Sequence, residues 1–262
     1  MDFWLNPHHG TPGLVVLPAN GWHRARAALA DWPDLGAVAL HDRPDLAAVM
    51  GVARVAVLDD RGLWGNGAVA LGGGYGSMQA TLTVLGRRGA APTALWDGDG
   101  AGVTLASVAD GPHGAGVRRA ASAWGALWTP DPAGGAWVSP VATPGYTELA
   151  REIMQSYRIM GEAAQQHWSG PPPTHVLVPG GVGAVAAALS VHLRPWGARL
   201  VVVEAPGDAP LLAHATGKPG PAPSLLAWQE LERSAWAFSV DWTLAALQLP
   251  PSSRVLDATG RL

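Results

Sequence analysis

A run of glycines between a buried strand and a helix exposes backbone N–H groups where an anion can be held, and Gly180-Gly181-Val182-Gly183 stands in that setting. Thr174–Val178 (THVLV) reads as the strand before it and the Ala-rich stretch Ala184–Leu193 as the helix after it. Close strand–helix packing also demands glycine, so the motif alone leaves phosphate or carboxylate binding and plain packing equally open. The second chemical feature is a scarcity. Of the 17 basic residues only Lys218 is lysine, so a single side-chain amine exists to form a Schiff base with a carbonyl compound. The nine histidines lack an H-E-x-x-H or comparable spacing, His8-His9 being merely adjacent, and they read as structural or surface residues with no metal site. There is no cysteine, which removes disulfides, thiolate catalysis, iron–sulfur clusters and cysteine-bound zinc together.

The elements that must position these groups alternate in type. Helices are predicted over Trp22–Trp32, Pro44–Met50, Gly74–Leu85, Gly114–Trp124, Thr147–Trp168, Ala184–Leu193 and Leu225–Phe238. Within Thr147–Trp168, Leu149, Ile153, Met154, Tyr157, Met160 and Ala164 recur at three and four and form one apolar stripe. Buried strands are predicted at Arg54–Leu58 and Leu200–Glu204 as well as Thr174–Val178. The strand, glycine loop, helix and strand from Thr174 to Glu204 form a βαβ unit, which calls for a parallel sheet covered by helices, an α/β fold.

Composition bounds the function classes. With 262 residues, 48% of them hydrophobic and 14% charged, the chain can bury a substantial core. The net charge of -3 offers no electrostatic reason to expect nucleic acid or an anionic membrane as a partner. No run approaches a membrane-spanning length, and Met1–Asn6 carries no basic-then-apolar leader, so a cytoplasmic location is the expectation. The 13 tryptophans suit cores, interfaces and aromatic-lined pockets.

Several stretches then carry a resemblance in chain order. Pro173–Leu193 (PTHVLVPGGVGAVAAALSVHL) resembles the phosphate-loop region of the fold-type II enzymes that use pyridoxal phosphate (PLP), the tryptophan synthase beta-like group that includes threonine dehydratase and diaminopropionate ammonia-lyase. Gly145–Ala164 is similar to diaminopropionate ammonia-lyase in particular. Leu200–Leu212 and Ser224–Phe238 resemble the family strand and helix that follow the loop, and Val255–Gly260 its final strand. Trp32–Asp60 and Trp64–Gly76 resemble the approach to the cofactor lysine, and Ala109–Val117 the family's D-G-N-H-G box. The resemblance implies a twisted parallel sheet flanked by helices in one domain over 1–262, with a remnant small domain within about 70–145 and a shortened C-terminal part.

It also implies where chemistry has been removed. The family lysine precedes an Ala-Leu-Gly-Gly run; here Val69 precedes Ala70-Leu71-Gly72-Gly73, and valine has no amine. The box reads Asp110-Gly111-Pro112-His113-Gly114, so the asparagine that contacts the cofactor ring has become Pro112, while Asp110 matches an acid/base carboxylate. A second family carboxylate is replaced by Pro140. The expectation is a protein with no cofactor, whose vacated cleft takes a small molecule. Asp110 and His113, three apart, would serve as general base and acid there, unless they only cap and pack. Gly180, Gly181, Gly183, Tyr146 and Trp64 would bind the ligand, and Trp96, Trp124, Trp128 and Trp137 would border the cleft. The leading reading is a cofactor-free lyase, cyclase or isomerase of specialised biosynthesis acting on a bulky apolar substrate. The alternative is a non-catalytic partner of an active enzyme, as a homodimer or a heteromer.

Overall fold

The computed structural model describes residues 3–90, 92–95, 98–240 and 249–259. Its first half contains β1 (Phe3–Leu5), α1 (Ala19–Ala30), β2 (Ala39–Asp42), α2 (Pro44–Met50), β3 (Arg54–Asp59), α3 (Ala68–Val84), β4 (Thr104–Ala106), α4 (Gly111–Trp124), β5 (Leu127–Thr129) and β6 (Ala136–Trp137). The second half contains α5 (Glu148–Ser156), α6 (Arg158–His167), β7 (His175–Pro179), α7 (Ala184–Leu193), β8 (Arg199–Val203), α8 (Pro210–Ala215), α9 (Leu225–Ser234), β9 (Ala235–Ser239) and β10 (Arg254–Asp257). The chain divides into two compact units, one of Met1–Val16, Val38–Asp59 and Met160–Leu262, the other of Leu17–Ala37 and Asp60–Ile159.

The first unit is built on a sheet of seven described strands in the order β1-β9-β8-β7-β10-β3-β2. The inner five run parallel, and β1 and β2 close the edges antiparallel. The inner strands are Val- and Leu-rich, without polar alternation, because a parallel sheet is covered on both faces. On one face Val55, Leu177, Val201, Val203, Ala237 and Val255 form a core with Ala47 and Val52 of the α2 segment. Each buried Val or Leu side chain among these contributes about 1.5–3 kcal/mol. Pro44 opens α2 in its first turn, and Gly51 closes it in the left-handed conformation (φ 64°), as residues of those types favour.

The second unit packs α4 and α5 against α3 and α1 against α5, with a small parallel sheet in the order β5-β4-β6. It contains the 70–145 stretch and extends beyond it at both ends. Helix α3 is buried on nearly every side, and its Gly-Gly-Gly-Tyr-Gly run is what allows that. A Cβ at Gly73 would collide with the His113 carbonyl, one at Gly74 with the Trp64 ring and one at Gly76 with Ile153 and Val138. Reciprocally, a Cβ at Gly116 of α4 would strike the Ala70 carbonyl, so α3 and α4 touch backbone to backbone.

Three sequence expectations are corrected. The helix predicted to begin at Gly74 starts at Ala68, because its glycines are packing surface and not a break. The helix predicted over Thr147–Trp168 is two, α5 and α6, divided at Tyr157, although Ile153, Met154, Tyr157, Met160 and Ala164 of the stripe are all buried. The helix predicted over Leu225–Phe238 stops at Ser234, and Ala-Trp-Ala-Phe-Ser pairs between β8 and β1 as β9. Pairing on both sides there outweighs the continuation of the helical pattern.

Candidate functional site

In the first unit the glycine loop joins β7 to α7. Gly181 (φ 59°) and Gly183 (φ 87°) both lie in the left-handed region that favours glycine, and Gly183 is the residue that starts α7. The Gly180 N–H donates to the Val203 carbonyl at 2.8 Å and the Gly183 N–H to the Gly180 carbonyl at 3.1 Å, which folds the loop against β8. Gly181 and Val182 are exposed, so the loop presents backbone N–H groups ahead of a helix whose dipole favours an anion. Gly180 has a further constraint, since a Cβ there would meet the side chain of Glu204.

Glu204 is a residue that the sequence reading passed over. It is buried at the end of β8, and its carboxylate accepts the N–H groups of Leu211 (2.9 Å) and Leu212 (2.7 Å), the first turn of α8. Burial raises its pKa, and the two N–H donors oppose that rise. Its signal was visible: a glutamate ending a run of four buried apolar residues, followed by a Gly/Pro loop, must find donors.

In the second unit Val69 lies half-buried in the first turn of α3. That helix start is capped by Asp60, whose Oδ2 accepts the Ala68 N–H at 2.7 Å. Asp110 is exposed and occupies the N-cap position of α4 without a side-chain capping bond. His113 lies one turn further along and is buried at 6% exposure. Its Nε2 is 3.1 Å from the Val138 carbonyl, and a carbonyl only accepts, so Nε2 carries the proton. Nδ1 is then a buried lone pair with no hydrogen-bonding partner. Burial lowers the His113 pKa, partly offset by the backbone at Val138 and Val69. The two residues read as an acid–base pair are therefore placed differently, one in solvent and one inside the unit.

The Tyr146 hydroxyl is engaged by the backbone, accepting the Ser139 N–H at 2.9 Å with the carbonyls of Trp137 and Ser139 at 3.1 and 3.2 Å. Burial pushes its pKa up to about 12. Trp64 is buried at 3% exposure with φ 44°, its ring at right angles to Trp32 (84°) and under the Arg119 guanidinium at 4.5 Å. Arg119 also donates to the Trp64 carbonyl. Trp124 is fully buried against Trp32, Trp128 and Trp137 are half-buried, and Trp96 and Gly260 lie outside the described residues.

These residues do not fit PLP held as an imine. Val69 offers no amine, Pro112 no side-chain donor, and the one lysine, Lys218, is exposed in the first unit, where its N–H caps α8 at Ala213. The glycine loop, with its exposed backbone N–H groups, is suited to a phosphate. Among the described residues no cluster of His, Asp or Glu could hold a metal ion, and no helix is long and apolar enough to cross a membrane.

No protein-family model and no curated protein matches the chain. The solved structures define a class: the chain has the fold of the fold-type II PLP enzymes. In particular it is similar to holo diaminopropionate ammonia-lyase from Escherichia coli, with a TM-score of 0.81 at 20% identity, covering 98% of this chain and 92% of that one. It is also similar to threonine deaminase isoform 2 from Solanum lycopersicum (TM-score 0.59, 12% identity, 98% and 87% covered). A third is the fungal L-serine ammonia-lyase from Rhizomucor miehei (TM-score 0.57, 12% identity, 86% and 93% covered). Identity this low establishes the fold and leaves the chemistry to be read from the residues.

Proposed function

We propose that this protein is a PLP-independent, non-catalytic member of its structural class that works as a subunit beside another protein. One observation carries the reading. By the sequence resemblance Val69 stands where such enzymes place their cofactor amine, and His113 is sealed inside the unit with one ring nitrogen committed to Val138. Without an amine no imine forms, and a general base must reach its substrate. The first requirement fails in the first turn of α3 and the second in the first turn of α4.

The second reading is a cofactor-free lyase, cyclase or isomerase. It is favoured by Asp110, an exposed carboxylate at a helix N-cap whose side chain makes no capping bond and so is available to a substrate.

The test is native mass spectrometry of the protein isolated from its own host. A stoichiometric second polypeptide is expected. A homo-oligomer carrying a small ligand, together with turnover that Asp110→Asn abolishes, would replace the first reading with the second. In parallel, one equivalent of PLP is expected to be removed by dialysis, and PLP retained as an imine with one residue, trapped by borohydride and mapped, would overturn both.

A further inference from the structure

Away from the glycine loop, the first unit carries an open-sided cavity of about 380 Å3 at the end of the sheet where β7 and β8 begin. We propose that it binds a small organic anion, a molecule with a phosphate or carboxylate group on an apolar body. Its lining contains Arg194, Arg199 and Arg233 and no Asp or Glu. One carboxylate lies against it. Glu230, fully buried, accepts Nη2 of Arg194 and of Arg233, both at 2.6 Å, and Ser190 Oγ at 3.1 Å. Three guanidinium groups thus stand against one carboxylate that is already satisfied.

Arg199 decides the character of the site. It begins β8, is exposed, and has no carboxylate partner among the described residues; its guanidinium lies 5.0 Å from the ring centre of Trp236. A stacked guanidinium keeps its in-plane N–H fork free, and that fork matches a carboxylate or phosphate edge. Beneath it, the buried side chains of Val176, Leu193 and Leu200 supply an apolar floor, which suits an organic anion better than a bare ion.

The remaining wall is fixed, although it comes from the start of the chain. Asn6 is buried and donates Nδ2 to the carbonyls of Glu232 (2.8 Å) and Ala235 (2.7 Å), and its Oδ1 accepts the His8 N–H at 3.0 Å. The Gly10 N–H donates to the Arg233 carbonyl at 2.8 Å. These bonds hold His9, Gly10 and Thr11 across the end of α9 and give the cavity a preformed side.

Calorimetric titration of the full chain with phenyl phosphate tests the proposal. Saturable binding is expected with a Kd below about 10 mM. Arg199→Gln should weaken it roughly 10-fold or more, the usual consequence of losing a charged donor. Ala198→Asp, which adds a carboxylate to the lining, should abolish it whether or not the first variant is well folded. Val182→Asp places the same charge in the glycine loop and tests whether the phosphate is held there instead. Absence of saturable binding by the wild type, unchanged affinity in both cavity variants, or loss in Val182→Asp alone would overturn the proposal; the last would return the anion to the glycine loop.

Discussion

At the scale of single residues, burial decides what the chemistry-bearing types can do, and residue type alone does not reveal burial. Asp110 and His113 look equivalent in the sequence, three apart in one glycine-bounded segment. Yet α4 begins between them, leaving the first in water and turning the second inward. The glycine loop was legible, because strand, glycines and helix follow one another without interruption. The same inward placement has a consequence for stability. His175, which begins β7, is buried with Nε2 unpartnered, and burial together with the nearby Arg199 charge lowers its pKa to about 4. His113 is lowered in the same sense. An unfolded histidine titrates near about 6.5, so between that pH and the folded values the unfolded chain binds more protons. Stability is therefore expected to be full above about pH 6.5 and to fall toward about pH 4. Urea midpoints measured across that range should show the slope, and His175→Phe should flatten it. A flat profile in the wild type would contradict the burial of both rings.

At the scale of elements, α3 was the hardest to read, and the reason is physical. A run of glycines weakens helix propensity, so the sequence suggests a start at Gly74, whereas the unit needs those positions bare for α4 to approach. The strand β9 was hidden in another way. Ala-Trp-Ala-Phe-Ser continues a helical apolar pattern, and only its partners β8 and β1, distant in sequence, make it a strand. By contrast α2 and α7 were found to the residue, being bounded by their own proline and glycine signals. The close approach of α3 and α4 predicts the effect of Gly116→Ala. Helix propensity alone would favour alanine by about 0.5–1 kcal/mol. The new methyl would meet the Ala70 carbonyl, a backbone atom that cannot rotate away, and overpacking of this kind costs about 1–3 kcal/mol. A net loss is expected, seen as a melting temperature lower by several degrees; a gain would mean that the helices are not in contact there. Glu204→Gln tests the other unit. Replacing one carboxylate oxygen with an amide leaves one of the Leu211 and Leu212 N–H groups facing a donor, for a loss of about 1–3 kcal/mol in thermal or urea unfolding.

At the scale of the whole molecule, the two units differ in how far apart in the chain their partners lie. The first unit is assembled from three stretches, and its sheet is complete only when β10 enters between β7 and β3. There Val55 pairs with Val255, 200 positions later in the chain. The sheet of the second unit needs no such closure. Its central contact, α3 on α4, forms within Ala68–Trp124, and its three strands lie within Thr104–Trp137. Non-local pairing must meet the entropy of closing a long loop before any contact rewards it, so folding rates fall as contacting residues lie further apart in sequence. Pulsed hydrogen exchange during refolding is therefore expected to protect the amides of Leu71–Leu82 in an earlier phase than those of Val55–Val57 and Val255–Asp257. The last two groups should gain protection together, because each is the other's partner. Should β3 become protected at the same time as α3, the sheet must form without β10, and the parallel pairing that organises the first unit would not be what completes it.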